Sequence, residues 1–293
     1  MIDYIEFVLA PQVVNGLTIG VAIILVSLGL SIIFGLLDVV NMAHGEFYAL
    51  GAFISMSLYS LGLGFWFALV VTPLIVLPIG VLLERGLIQL VYHRPARHVQ
   101  TLLLTIGISI MLKDLFDMIY GPNTMRPDSP ISGVARLGDI IVPNYRLFLM
   151  GFGTIVILLT WYVLFRTKLG SVIRAAAYDK DMTASLGVPV KVIYSGAFAF
   201  GTALAALAGV LLAPIYSVFP TMGQDFILLA FTVVIVGGIG SFWGTVVAGL
   251  LLTQIESLSA LFIPPNWSEP LVFGIMIAVL IFRPQGLFSW NRR

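Results

Sequence analysis

The residues able to do chemistry in this sequence are few, and they gather in two places. Asp38, Asn41, His44 and Glu46 stand together in GLLDVVNMAHGEFYALG, between two long apolar runs. Ionisable groups at membrane depth are costly and normally face a cavity or another polar group. His44 and Glu46, two apart, do not share a helix face; they suit an interrupted turn whose unwound backbone needs local hydrogen-bond partners. Two roles fit them: a polar patch on a translocation pathway, or caps at a helix end near the interface, with Asn41 as N-cap of the next span. The second place is TKLGSVIRAAAYDKDMTASLGVPVKV, from Thr167 to Val192. Leu169, Val172, Ile173 and Ala176 fall there at helical spacing. Asp179 and Asp181 can cap a second short helix carrying Met182 and Leu186, which Gly187 ends, with Pro189 beyond. Two short helices showing apolar and charged residues together read as a docking element for a partner, or as an amphipathic connector at the lipid surface.

Smaller groups offer less. Lys113 and Asp117 have the i,i+4 spacing of an ion pair, and snorkelling to outer headgroups accounts for both. Asp114 and Asp117 make a lone D-x-x-D with no second acidic cluster to answer it. Gln254 and Glu256 fall in a late apolar run, as an inward polar spot or a frayed outer end. His93 and His98, in HRPARH, read as a solvated loop, and no H-E-x-x-H accompanies them. None of the four lysines is followed by Ser or Thr, so the P-loop that would hold magnesium and ATP is missing. No G-x-S-x-G elbow occurs. Cys is absent, which removes thiolate nucleophiles and cysteine metal sites together.

The elements that must position these residues follow from composition. Of the 293 residues, 59% are hydrophobic and 10% charged, where a soluble domain needs roughly 25% charged. Mean hydropathy is +1.06. Disorder is excluded by the same figures, and a net charge of +1 gives no basic field to attract nucleic acid. The chain is expected to be an all-α polytopic membrane protein, because backbone groups in lipid must pair within their own segment. Apolar stretches at about 8–36, 45–63, 65–85, 101–120, 145–165, 192–216, 226–240, 242–262 and 269–282 give eight to ten crossings. Gly237, Gly238, Gly240 and Gly244 break the 226–262 run, and the first run leaves room for a bend near Asn15 and Gly16. No Lys or Arg precedes Arg85, so the first apolar run is expected to be a retained span and not a cleaved leader.

Orientation follows from the basic loops. Arg85, Arg94 and Arg97; Arg166, Lys168, Arg174, Lys180 and Lys191; and Arg283, Arg292 and Arg293 supply eleven of the fifteen basic residues. These three places are expected to be cytoplasmic, which puts the Pro- and Gly-rich segment 121–144 outside as a turn-rich cap. The whole reads as a single transmembrane domain, 1–293, with a cytoplasmic loop at about 167–191 and an outer loop at about 121–144. Gly196, Gly201, Ala205 and Gly209 are read as close-packing positions. An echo between Asn41–Ala52 and Gly238–Gly249 hints at related halves, as in transporters. An ion-coupled secondary transporter, using Asp38, Glu46 and Glu256, stays open on pattern alone, as does a lipid-diphosphate transferase resting on Asp114 and Asp117.

Four motifs in order, GLLDVVNMAHGEFYALGAF, IRAAAYDKDMTASLGV, VIVGGIGSFWGTVVAGLLL and IFRPQGLF, resemble the branched-chain amino acid ABC transporter permeases, more their H-type than their M-type subunits. The likeness runs over essentially the whole chain. It implies an importer permease bundle and no enzymatic activity or cofactor of the chain's own, ATP being used by partner subunits. The implied partners are an M-type sister permease forming the pathway, two cytoplasmic ATPase subunits, and a periplasmic or extracytoplasmic substrate-binding protein. The implied place is the bacterial inner membrane. The resemblance puts the ATPase-coupling loop at Gly170–Gly187, with Gly170, Arg174, Ala175, Ala176, Asp179, Ala184, Leu186 and Gly187. The N-terminal family motif falls on Asn41, Ala43, His44, Gly45 and Glu46. Pathway candidates are Asn41, His44, Glu46, Gln254 and Glu256. Tyr178 departs from the family pattern, where many relatives carry an acidic or amide residue. Related permeases carry urea and short amides, an alternative substrate class.

Overall fold

A computed structural model describes residues 9–91, 96–137 and 140–288. His93, Arg94, Gly138, Arg292 and Arg293, used in the sequence reading, lie outside the described residues. The first apolar run is one helix, α1 (Ala10–Leu37), with proline in its first turn and no break at Asn15–Gly16. It stops at Asp38, whose left-handed φ of 52° turns the chain while its N–H still donates to Phe34 O. There follow α2 (His44–Ser60), α3 (Phe65–Leu83) and α4 (Arg97–Tyr120); α3 continues through a wide π-turn, Glu84–Ile88, to Val91. The segment after α4 leads into α5 (Asn144–Arg166), the short pair α6 (Lys168–Tyr178) and α7 (Lys180–Ser185), then α8 (Val190–Tyr216). The chain closes with α9 (Met222–Gly237), α10 (Phe242–Ser259) and α11 (Ser268–Phe282).

The helices α1, α3 with its extension to Val91, α5 and α8 are long and apolar enough to cross a membrane, and α9 and α11 are shorter apolar helices. Several such helices in one chain make the protein a multi-pass membrane protein. The all-helical expectation holds for the spans. Between α4 and α5 two short strands pair antiparallel, β1 (Val134–Leu137) with β2 (Ile140–Pro143). The β-branched run Ile140–Val142 favours a strand.

Two helices form the centre. In α1 and α8, 78% and 89% of the most apolar window is buried, against 28% in each of α3 and α5. Their crossing depends on glycine: a side chain on Gly29 would strike Gly201 O, and one on Gly201 would meet Gly29 O at 2.7 Å. Gly209 lies against Tyr48 O, and Gly51 against Ala206 O, so α2 packs on α8 by the same device. Without a side chain the backbones approach and gain dispersion contacts that lipid cannot offer. Gly196 differs from expectation, since nothing lies within 4 Å of where its Cβ would stand. Spacing alone put it on the packed face, whereas the crossing falls one and a half turns further along α8.

The glycine break forms where it was expected. Gly238 and Gly240 have φ of 101° and 75°, and Ser241 caps α10 by accepting from Gly244 N. The C-terminal motif returns to this break: Leu287 N donates to Val236 O at 2.8 Å and Phe288 N to Gly237 O at 3.2 Å. Gly240 also lies against Gly35 near the end of α1, and Phe242 meets the Phe165 ring from α5 at 5.8 Å. The ends of α1, α5 and α9 and the RPQGLF segment therefore share one end of the bundle. The echo between Asn41–Ala52 and Gly238–Gly249 has a closer structural parallel elsewhere. Both central helices end on a positive-φ residue that is not glycine, Asp38 or Ser217, and each is followed by a shorter helix with an acid in its first turn, Glu46 or Asp225.

Candidate functional site

Helix α4 acts as a ruler for the first polar group. Starting from one end, Arg97 Nη2 pairs with Asp38 Oδ2 at 3.2 Å, Thr105 Oγ1 accepts from Met42 N at 3.1 Å, and Ser109 Oγ donates to Glu46 Oε1 at 2.8 Å. At the other end, Tyr120 stacks on Phe53 at 4.6 Å and its hydroxyl meets Ser57 Oγ at 2.6 Å. At 1.5 Å per residue, Ser109 lies about 18 Å along a helix of about 36 Å. Glu46 therefore sits beside the midpoint of α4, and Val39–Ala43 is a non-helical segment re-entering the interior.

Backbone without helical partners is tolerated within a membrane only inside protein, with its polar groups engaged. Asn41 and Thr105 do this: Asn41 Oδ1 accepts from Ala43 N at 3.1 Å, and Thr105 takes Met42 N. Asn41 thus acts two residues ahead of the actual cap, Ala43, and not as the N-cap itself. His44 starts α2 and donates from Nε2 to Val26 O at 3.0 Å, tying the segment to the middle of α1. Asn41, His44 and Glu46 are all fully buried, and among the described residues Asn41 Nδ2, His44 Nδ1 and Glu46 Oε2 have no hydrogen-bond partner. Glu46 Oε2 faces Gly223 in the first turn of α9, and Gly45 packs on Gly223 O. All three side chains lie within the buried interior of this chain.

Gln254 and Glu256 do not join them. Gln254 Nε2 donates to Val13 O at 3.0 Å, and Ser257 reaches Gln12 O at 2.7 Å, so this part of α10 packs on the start of α1. Val13 and Val26 are thirteen residues apart on one helix, about 20 Å. The five pathway candidates form two groups at different depths. The ion pair expected between Lys113 and Asp117 is instead Lys113 with Asp114 at 2.9 Å. The long ammonium arm reaches the neighbouring carboxylate without needing the next turn.

The second site is the hairpin α6–α7. Thr167 caps α6 by accepting from Gly170 N, and Asp179 Oδ1 caps α7 by accepting from Asp181 N and Met182 N at 3.0 and 2.9 Å. Asp181 itself lies in the first turn, and Gly187 ends the unit with φ of 82°. The residues expected here divide by direction. Gly170 and Ala176 are buried, Gly170 against Leu164 O and Val163 O at the end of α5. Arg174 turns the same way: Nη1 donates to Leu164 O, and the guanidinium lies 5.2 Å over the Phe165 ring. Lone carbonyls at a helix C-terminus favour such a cation. Ala175, Ala184, Leu186 and Gly187 face outward. Around them Leu169, Tyr178, Met182 and Leu186 are 66%, 81%, 65% and 76% exposed. The inward group clamps the hairpin to α5; the outward group leaves an apolar face at the end of the bundle shared by the basic segments.

One cluster was not legible in the sequence. Glu84 is fully buried at the π-turn, where its carboxylate accepts from Ser195 Oγ at 2.6 Å and Gln89 Nε2 at 3.0 Å. Arg85 Nε donates to Ser195 at 3.1 Å. This ties α3 to the first turns of α8, the helix that leaves the hairpin. A Glu–Arg pair beside a span reads as an interfacial flank, and nothing in its spacing announces a π-turn.

Comparison with known proteins agrees with this architecture. The family model for the branched-chain amino acid transport system permease component matches residues 12–280. The high-affinity branched-chain amino acid transport system permease protein BraD of Pseudomonas aeruginosa is 31% identical, with 95% of each chain covered. The corresponding permease protein LivH of Escherichia coli strain K12 is 28% identical over 95% of this chain and 94% of its own. LivM of the same organism is 28% identical over 98% of this chain but 72% of its own length. No solved structure matches the chain. With nearly its whole length matched, the chain belongs to the branched-chain amino acid transport permease family.

Proposed function

We propose that the protein is a transmembrane subunit of an ATP-driven importer of branched-chain amino acids in the bacterial inner membrane. Its partners in this reading are a sister M-type permease, two cytoplasmic ATPase subunits and an extracytoplasmic binding protein. Hydrolysis belongs to the ATPase subunits, and the chain needs no cofactor of its own. Family membership supports the substrate class, since the relatives' names specify branched-chain amino acids. The single observation carrying the coupling role is the clamped hairpin with its outward apolar face.

Closure of the ATPase subunits would push on Tyr178, Met182 and Leu186. Because Gly170 and Arg174 fix α6 to α5, that push moves α5 as a lever and does not merely bend a loop. It also reaches α8 directly, and α3 through Ser195 and Glu84. Asn41, His44 and Glu46 serve as the internal joint: they hold the re-entrant segment between α1 and α4, where two arrangements can exchange without exposing backbone to lipid. Gln254, with Ser257 one turn on, holds the C-terminal end of α10 against α1, and Glu256 lies on the same turn.

Replacing Met182 and Leu186 together by Asp tests this. Neither inward anchor is touched, so insertion and α6 seating stay intact. Loss of two exposed apolar anchors is expected to weaken ATPase co-purification and ATP-driven leucine uptake by about tenfold or more. Unchanged uptake and co-purification would remove the docking role.

A further inference from the structure

At the end of the bundle opposite the hairpin, the last turn of α2, the first turn of α3 and the segment before β1 line an open cleft of about 550 Å³. Met56, Tyr59, Phe65 and Trp66 form its apolar and aromatic wall, and Arg126 and Asp128 stand on its loop side. The size lies within the range of small-molecule sites, about 300–1,000 Å³. The wall is preset by packing: Phe65 is buried and meets Trp66 edge-on at 5.3 Å, while Trp66 remains half exposed. The loop is held as well. Met125 and Val218 exchange backbone hydrogen bonds, and Arg126 Nε donates to Pro214 O at 3.2 Å.

That last bond aims the guanidinium and uses only Nε, leaving the outer fork of a five-donor group for a ligand. Asp128 makes no hydrogen bond or ion pair within 4 Å among the described residues. Tyr59, also on the wall, has its Oη buried without a partner among the described residues. A fixed cation and an unpaired anion two residues apart, beside an aromatic wall, match one kind of small molecule: a zwitterion whose carboxylate and ammonium share a carbon that also bears an apolar side chain. We propose that this cleft is an outer binding site for a free α-amino acid with an apolar side chain. Arg126 would receive the carboxylate, Asp128 the ammonium, and the Met56–Trp66 wall the side chain. The proposal rests on the transport reading above and gives the permease a substrate contact of its own at the delivery face.

The test uses the assembled transporter in nanodiscs without binding protein, with radiolabelled leucine and competing leucinol, which lacks the carboxylate, and 4-methylpentanoate, which lacks the ammonium. Saturable leucine binding is expected, with each analogue about tenfold or more weaker. Arg126→Gln should lower leucine affinity by a similar factor and erase its advantage over leucinol. Asp128→Asn, a surface change that leaves packing alone, should erase the advantage over 4-methylpentanoate. No leucine binding, or binding whose analogue preference is unchanged in both variants, overturns the proposal. So does weakened docking of the binding protein with leucine binding intact, which would assign the two charges to a protein contact. Uptake by the complete system in vesicles separates the two readings. Uptake present with the site disproved leaves the transport function standing, whereas absence of any branched-chain amino acid uptake removes that function itself.

Discussion

Gly170→Leu is expected to abolish coupled uptake while leaving the chain inserted. The position sits where α6 rests on the last carbonyls of α5, and a Cβ there would strike Leu164 O and Val163 O. Both are backbone atoms at a helix end, so neither can rotate aside. The hairpin must lift, and with it goes the Arg174 contact to Leu164 O and the Phe165 ring. A charge-assisted bond contributes about 1.5–3 kcal/mol, and the cation–π contact about 0.5–1 kcal/mol more at a half-exposed site. Losing both converts a lever into a tethered flap. In proteoliposomes of the assembled transporter, ATP-driven uptake should fall by about tenfold or more, with accelerated proteolysis between residues 167 and 190. Arg174→Ala should show the same pattern in weaker form. Normal uptake in Gly170→Leu would mean that the push does not travel through α5.

The second large effect concerns the central crossing, where position along one helix decides the outcome. Gly201→Leu should prevent accumulation of folded protein, and Gly196→Leu should be tolerated. A side chain at Gly201 meets Gly29 O and the Ile33 side chain, whereas one at Gly196 meets nothing within 4 Å. Overpacking a core costs about 1–3 kcal/mol, and more where the obstacle is a carbonyl on a facing helix. That is a large part of a total stability of about 5–15 kcal/mol. Fluorescence-detected size-exclusion of tagged variants measures the contrast, and equal profiles would contradict the assigned crossing.

Much of this was legible because local chemistry determined it. Asp179, Gly187 and Pro189 punctuate α6–α7 by capping rules that need no tertiary contact, and the glycines at 237–244 break a run too long for one helix. Orientation of single side chains was less accessible. Arg174 belongs to a basic loop and reads as facing a partner, yet the bare carbonyls at the end of α5 draw it inward. Asn41, His44 and Glu46 show their unusual polarity in sequence, but their depth emerges only through Thr105 and Ser109 on α4, some sixty residues away. Gln254 and Glu256 shared an apolar setting with them and proved to be separated by half the length of α1. Glu84 stayed hidden, since its meaning comes from Ser195 across the bundle. The strand pair 134–137 and 140–143 stayed hidden because four residues each are too short to show a clear alternating pattern.

The central claim is that the 167–192 hairpin faces the cytoplasm and is covered there by ATPase subunits. The chain contains no cysteine, so Leu186→Cys places a single thiol on the outward face of α7 without further engineering. A membrane-impermeant maleimide applied to oriented vesicles of the assembled transporter reads its side directly. The account predicts labelling only from the ATP side, and protection when the ATPase subunits are present. Labelling from the side where substrate is delivered, or labelling indifferent to those subunits, would contradict it.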